Sequence, residues 1–249
     1  MNRWVGTVAV VTGFSSGIGQ AIAEALVKNG IIVAGLARRI EIVEKQSDNL
    51  RQEKGKLYGF KCDVTKSDQI INSFKAITET LGPISILVNN AGINLEADLI
   101  DGDIDKWRQI MDTNVMALNV CTREAISSMK AHDIKGHIIH INSISGHMLF
   151  EVSGFSLYSA TKHAVTTLTE VLRREIISAK LPIKLTSISP GVVKTNFFLN
   201  SFGEDGDKVF EGRPYLSSQD IAENVMYVLS TPEHVDIKEL TVVTQGYLY

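Results

Sequence analysis

Tyr158 and Lys162 stand four residues apart in Ser156-Leu-Tyr158-Ser-Ala-Thr-Lys162-His-Ala. On a helix this spacing puts both side chains on one face, within reach of each other. A phenol with its ordinary pKa of about 10 is a poor base near neutrality. A neighbouring ammonium favours the phenolate, so the sequence predicts a lowered pKa for Tyr158. Such a pair can pass a proton to or from a substrate oxygen. The competing reading of the spacing alone is a solvent-facing helix with no chemistry.

A second cluster sits at the start of the chain, in Val8-Ala-Val-Val-Thr12-Gly13-Phe-Ser15-Ser16-Gly17-Ile18-Gly19. The apolar, mostly β-branched run reads as a buried parallel strand. Glycines then turn the chain into a helix. Gly13 permits the tight turn, and Gly17 and Gly19 let backbone and phosphate approach. The helix N-terminus offers N–H groups and partial positive charge to a pyrophosphate, so Ser15, Ser16 and Ile18 join the candidate cofactor contacts. The spacing is G-x-x-x-G-x-G rather than the G-x-G-x-x-G of the usual dinucleotide fingerprint.

These two clusters need a scaffold, and the chain alternates strand-like and helix-like segments throughout. Strands are expected at Val8–Thr12, Ile31–Ala37, Leu57–Cys62, Ile84–Val88, His137–Asn142, Ile183–Ile188 and Leu240–Thr244. Helices are expected over Gly19–Asn29, Ile40–Lys54, Ser67–Leu81, Asp103–Met129 (one or two), a long segment carrying Tyr158, and Gln219–Leu229. Repeated βα units with buried strands predict an α/β fold, a doubly wound parallel sheet of about seven strands. No linker divides the 249 residues, so a single domain is expected.

The net charge of −3 gives no electrostatic reason to expect nucleic acid or an anionic membrane. No apolar stretch approaches the roughly 20 residues of a spanning helix. No charged-then-apolar leader precedes the first strand, so no signal peptide is expected. Cys62 and Cys121 form neither a disulfide framework nor a metal spacing, which fits a cytoplasmic location. No histidine has a metal-ligand spacing, and no metal is expected.

The glycine loop, Asn89-Asn90-Ala91-Gly92, Asn114, the Ser143 region, Tyr158-x-x-x-Lys162 and Pro190-Gly191 occur in one order. Together they resemble the short-chain dehydrogenase/reductase family, over nearly the whole chain. Within it, Asn142-Ser-Ile-Ser-Gly-His147 and Ser189-Pro-Gly-Val-Val-Lys-Thr195 resemble the subgroup of dehydrogenase/reductase member 11 and insect farnesol dehydrogenases. The resemblance implies one Rossmann-type domain, a nicotinamide cofactor bound mainly by residues 6–145, and hydride exchange between alcohol and carbonyl. It implies Tyr158 as catalytic acid/base and Lys162 as its electrostatic partner and ribose contact. Asn114 would fix a helix bend and hold a water of the proton relay. Asn90, Ala91 and Gly92 would line the cofactor. Asp63 would bond the adenine with Val64 against the ring, although an Asp after a strand also caps helices. Pro190, Gly191, Val193 and Thr195 would hold the nicotinamide. It also implies a homodimer or homotetramer, paired through the helices of the fourth and fifth βα units.

A serine must stabilise charge on the substrate oxygen beside the tyrosine. By the resemblance, a serine thirteen residues before the tyrosine would be Ser145, and one three residues before the following glycine would be Ser143. The local spacing favours Ser143, because the strand it leaves sets its place. After the second strand the chain has Ala37-Arg38-Arg39 where an acid would bind the ribose hydroxyls of NAD. Guanidinium groups bind phosphate through paired hydrogen bonds, so NADP(H) is expected over NAD(H).

Phe197, Phe198, Phe202, Phe210 and Tyr215 fall in the stretch 195–218. By the resemblance this stretch covers the substrate, and an aromatic cover suits a lipophilic alcohol or carbonyl. The same aromatics would also serve to pack on the body of the protein. His147 and Phe150 are further pocket candidates. A farnesol-type terpenoid alcohol dehydrogenase is the favoured reading. A 17β- or 3-ketosteroid-type carbonyl reductase is the alternative, followed by a non-catalytic NADPH-binding module.

Overall fold

All five residues of Val8–Thr12 are buried, as a strand covered on both faces must be. This is β1, and the computed structural model describes it within residues 1–150 and 154–246, the side chain of Glu44 excepted. Six more strands follow: β2 (Ile32–Ala37), β3 (Lys56–Lys61), β4 (Ile84–Asn89), β5 (His137–Ile141), β6 (Lys184–Pro190) and β7 (Glu239–Val242). They form one parallel sheet in the order β3-β2-β1-β4-β5-β6-β7. The order reverses between β1 and β4, which opens a crevice at the carboxyl ends of the strands.

Alternate residues of each strand feed two cores. Ala9, Val11, Ile86, Val88 and Ile139 pack with α1 (Gly17–Lys28), α2 (Ile40–Asn49) and α8 (Ser218–Ser230). Val8, Val10, Leu87 and Ile138 pack with α3 (Ser67–Leu81), α5 (Ala117–Ala131) and α6 (Ser156–Ser178). The doubly wound parallel sheet predicted from sequence is therefore the fold.

Strand ends shift by at most two residues from the sequence expectation, and three larger differences stand out. The helix predicted to reach Lys54 ends at Asn49. The chain must turn early, because Gly55 lies so close to the Ile31 carbonyl that a Cβ would sit 2.2 Å from it. The segment predicted at Asp103–Met129 is α4 (Ile104–Met111), a π-helical turn at Asp112–Met116, and α5, run together. Finally, the aromatic stretch is largely helical, with α7 (Phe197–Phe202) and a 3-10 segment at Gly203–Phe210. None of the described helices is long and apolar enough to cross a membrane.

Candidate active site

A cavity of about 680 Å³ lies over the carboxyl ends of the strands. It is lined by the segments that leave β1, β2, β3, β4, β5 and β6, by Phe155, Tyr158 and Lys162 of the α6 end, and by the 195–213 stretch. That size is within the usual range for a small-molecule site. The local backbone explains how one cavity collects so many elements.

Gly13 and Gly17 have φ of +64° and +56°, a region closed to most side chains. A Cβ on Gly13 would meet Ala91 Cα at 2.8 Å, so only glycine lets the turn after β1 touch the segment after β4. Asn90 locks that contact. Its Nδ2 donates to the Thr12 and Gly13 carbonyls at 2.9 and 3.1 Å. The backbone N–H groups of Asn90 and Ala91 in turn donate to Thr12 Oγ1. Ser16 caps α1 without a side-chain hydrogen bond, so the first N–H groups of that helix are left for another acceptor. Gly13, Ser15, Ser16, Gly17 and Ile18 line the cavity beside them. This cradle, closed by any side chain, fits the pyrophosphate of a dinucleotide.

Gly19 does not line the cavity. A Cβ there would come 2.4 Å from Asn90 Nδ2 and 2.5 Å from the Gly13 carbonyl. Its glycine serves the close backbone approach that the sequence suggested, beneath the turn rather than at the cavity face. Arg38 and Arg39, both exposed, line the far end with Asp63, Val64 and Thr65. No ion pair joins either arginine to a carboxylate among the described residues. Asp63 is partly committed to its own turn, where Oδ1 accepts from Thr65 N at 3.0 Å and from Thr65 Oγ1 at 2.8 Å. Gly92, Pro190, Gly191, Val193 and Thr195 complete the wall.

Tyr158 and Lys162 are both buried at the centre of this cavity. Lys162 Nζ donates to the Ile141 carbonyl at 2.9 Å and lies 5.7 Å from the Tyr158 ring centre. The expected depression of the phenol is not what the geometry produces. Burial pushes Tyr158 up to about 12, opposed only by a hydrogen bond with the Ser143 side chain. The same loss of water pushes Lys162 down to about 8. Desolvation disfavours the charged form of each group. The phenol therefore stands protonated and ready to donate.

Ser143, not Ser145, has its hydroxyl on the phenol. The Ser145 backbone N–H donates to Ser143 Oγ at 3.1 Å, which leaves the Ser143 proton for another acceptor. Asn114 sits in the π-helical turn and is not part of the cavity wall. Its Oδ1 accepts from Ile93 N, and its Nδ2 donates to the Ile93 carbonyl and to Thr161 Oγ1. It thus ties the turn to the segment after β4 and to α6, while its Oδ1 faces the Gly92–Lys162 space.

Phe150, Phe197 and Phe198 line the cavity as the sequence suggested, and Phe202 joins them. Phe210 and Tyr215 do not, but stack edge-on behind Phe198 and under Lys194. Some aromatics of the stretch thus line the cavity, and others pack on the body of the protein. His147 was expected in the pocket, yet its ring points away. Its Nε2 bonds Ser189 Oγ at 2.9 Å and lies 3.4 Å from Glu239. Phe155 was missed. Its ring centre is 4.6 Å from that of Tyr158, and Phe197 is 5.3 Å from Tyr158 on another side. Its place three residues before Tyr158, at the helix entrance, was the available signal.

A family model described as short chain dehydrogenase matches residues 7–205. A farnesol dehydrogenase of Aedes aegypti is 47% identical over 99% of each chain. Dehydrogenase/reductase SDR family member 11 of Homo sapiens is 42% identical over 96% of this chain and 95% of its own. A closed serine dehydrogenase complexed with NADP+ superposes with a TM-score of 0.87 and 29% identity, covering 98% of this chain and 97% of that one. An alcohol dehydrogenase of Thermococcus sibiricus complexed with 5-hydroxy-NADP gives 0.82 and 26%, over 95% of each chain. This chain belongs to the short-chain dehydrogenase family of oxidoreductases.

Proposed function

We propose that the protein is an NADP(H)-dependent oxidoreductase that interconverts a lipophilic alcohol and its carbonyl, with a farnesol-type terpenoid alcohol favoured. The observation that carries this reading is the position of the Tyr158 hydroxyl. It meets the Ser143 side chain, while the Tyr158 ring lies near Lys162 and the rings of Phe155 and Phe197, in the same cavity as the glycine turn. A nicotinamide dinucleotide, held by the Gly13–Ile18 turn, Asn90 and the Arg38–Arg39 end, would supply the hydride acceptor or donor. In reduction, Tyr158 donates its proton to the carbonyl oxygen as that oxygen gains charge. Ser143 donates a hydrogen bond to the same oxygen. Lys162 stabilises the phenolate left behind. In oxidation, each step runs in reverse. Asn114 holds the backbone at Ile93 and the helix at Thr161, keeping the wall and Tyr158 in register.

The aromatic rings of Phe150, Phe155, Phe197, Phe198 and Phe202 favour an apolar chain with unsaturation over a sugar or an amino acid. The name of the mosquito relative agrees with that choice. A turnover screen of terpenoid alcohols and steroid ketones with both cofactors tests it. Faster turnover of a steroid ketone than of any terpenoid alcohol overturns the terpenoid preference.

Arg38 and Arg39 at the end of β2 are the basis for NADP(H), and NADP occupies three of the similar structures. Ala37→Asp with Arg38→Ala is expected to shift preference toward NAD(H) by about tenfold or more. The new carboxylate would accept from the ribose hydroxyls, and the phosphate would lose a counter-charge. If the parent protein already uses both cofactors with equal kcat/KM, the arginines are ordinary surface residues.

We read residues 1–249 as one domain that associates into a homodimer or homotetramer. On α6, Val165 and Ile176 face the core, whereas Val171 and Ile177 are 47% and 68% exposed. Ile104, Met111 and Met116 are also exposed on the α4–α5 run. Such apolar groups on two surface helices suit a partner copy. Sedimentation at micromolar concentration is expected to give at least two chains. A fully active 27.3 kDa species contradicts this. Cys62 and Cys121 are free and buried, which suits a reducing, cytoplasmic setting.

A further inference from the structure

Helix α6 buries a polar stripe where a helix on a sheet normally buries an apolar one. Lys162, Thr166, Thr169 and Arg173 follow at helical spacing and each bonds a group of β5, β6 or the loop after β5. Lys162 reaches the Ile141 carbonyl and Thr169 meets His140 at 2.9 Å. Arg173 donates to the Leu185 carbonyl at 2.6 Å. Thr166 is different from the others, because what it holds is the turn that carries Ser143.

Thr166 Oγ1 donates to the Gly146 carbonyl at 2.9 Å and accepts from Asn142 Nδ2 at 2.9 Å. Asn142 and Gly146 bracket the turn. Gly146 N donates to the Ser143 carbonyl at 2.9 Å, closing it. No side chain separates turn and helix. A Cβ on Gly146 would lie 2.7 Å from Asn142 Nδ2 and 2.8 Å from both Thr166 Oγ1 and the Lys162 carbonyl. Inside the turn, Ser143 Oγ accepts from Ser145 N, so its single proton is aimed outward, toward Tyr158. The aim of that proton depends on the turn. Besides the turn's own backbone bonds, one hydroxyl of the helix that bears Tyr158 and Lys162 braces it, with the Gly146 carbonyl at 2.9 Å as its nearer acceptor and the Lys162 carbonyl at 3.2 Å.

We propose that Thr166 is the positioning residue of Ser143, setting the Ser143–Tyr158 geometry through Gly146 and Asn142. The proposal rests on reading Ser143 as the donor to the substrate oxygen. It adds a residue whose side chain does not reach the cavity. Valine at 166 keeps the shape of threonine and removes the brace. Misplacing a catalytic group by about 1 Å can cost on the order of a hundredfold in rate.

The test is a double-mutant cycle on the best substrate of the screen above, with NADPH binding followed by fluorescence. Thr166→Val is expected to lower kcat by about tenfold to a hundredfold, with cofactor affinity changed by less than about threefold. Thr166→Ser, which keeps the hydroxyl, should return kcat to within about threefold of the parent. In a Ser143→Ala background the Thr166→Val loss should shrink to less than about threefold, because the two residues act through one path. An equal loss in both backgrounds overturns the proposal, as does Thr166→Val with more than about half the parent kcat. Parent-like turnover of Ser143→Ala alone would instead remove the reading of Ser143, a separate outcome. Should Thr166→Val fail to bind NADPH, Asn142→Leu cuts the other half of the brace and is read in the same cycle, with the same two outcomes.

Discussion

Tyr158→Phe is expected to lower turnover by about two orders of magnitude or more while leaving cofactor affinity nearly unchanged. The ring is held by packing that does not involve the hydroxyl, with Phe155 at 4.6 Å and Phe197 at 5.3 Å between centres. Phenylalanine would keep those contacts and remove only the proton. The glycine turn, Asn90 and the Arg38–Arg39 end of the cavity are built from other elements, so they should bind the dinucleotide as before. Steady-state kinetics with a binding titration checks both halves. Near-normal turnover would remove Tyr158 from the mechanism, and lost cofactor binding would mean that the hydroxyl has a structural role.

Lys162→Met is expected to abolish most activity and to make the protein more stable. The Lys162 ammonium is buried with one acceptor among the described residues, the Ile141 carbonyl, and its pKa is pushed down to about 8 by loss of water. Below pH 8 the group is charged in both folded and unfolded chains, and the full cost of burying it is present. Between about 8 and the unfolded value near 10.5, the unfolded chain binds more protons, so parent stability from this group rises with pH. Burial of Tyr158, whose pKa is raised to about 12, acts oppositely between 10 and 12, where the folded chain binds more protons. Methionine removes the buried charge at the cost of one hydrogen bond. A gain on the order of 1–2 kcal/mol at pH 7 is expected, with activity down about a hundredfold. Thermal melts at pH 7 and pH 9.5 check this. A lower melting temperature for Lys162→Met at pH 7 would mean that the ammonium stabilises the fold.

The parts of the site that were legible in the sequence are those with local causes. The strand, turn and helix from Val8 to Lys28 follow from β-branched residues and from glycines at φ of +64° and +56°. Tyr158 and Lys162 share a face because four residues make about one helical turn. What was not legible depends on contacts far along the chain. His147 leaves the pocket because Ser189 and Glu239 engage its ring. Gly19 is needed because Asn90 approaches from β4. The Tyr158 phenol rises rather than falls because of how deeply the fold buries it, which four-residue spacing does not reveal. Two counting rules for the serine disagreed and the local one favoured Ser143; in the folded turn it is the Ser143 hydroxyl that meets the phenol. The helical form of the 195–218 stretch was not read from the sequence; it depends on Gly206, which packs on the Phe198 carbonyl where α7 meets the 3-10 segment.

The most direct test is transfer of label from substrate to cofactor. The best alcohol of the screen, deuterated at its carbinol carbon, would be incubated with NADP+ and the parent protein, and the products analysed by mass spectrometry. Deuterium should appear in NADPH in step with carbonyl formed, and neither should form with Tyr158→Phe on the same timescale. A carbonyl product without deuterium in the nicotinamide would contradict hydride transfer between them, and with it the central claim.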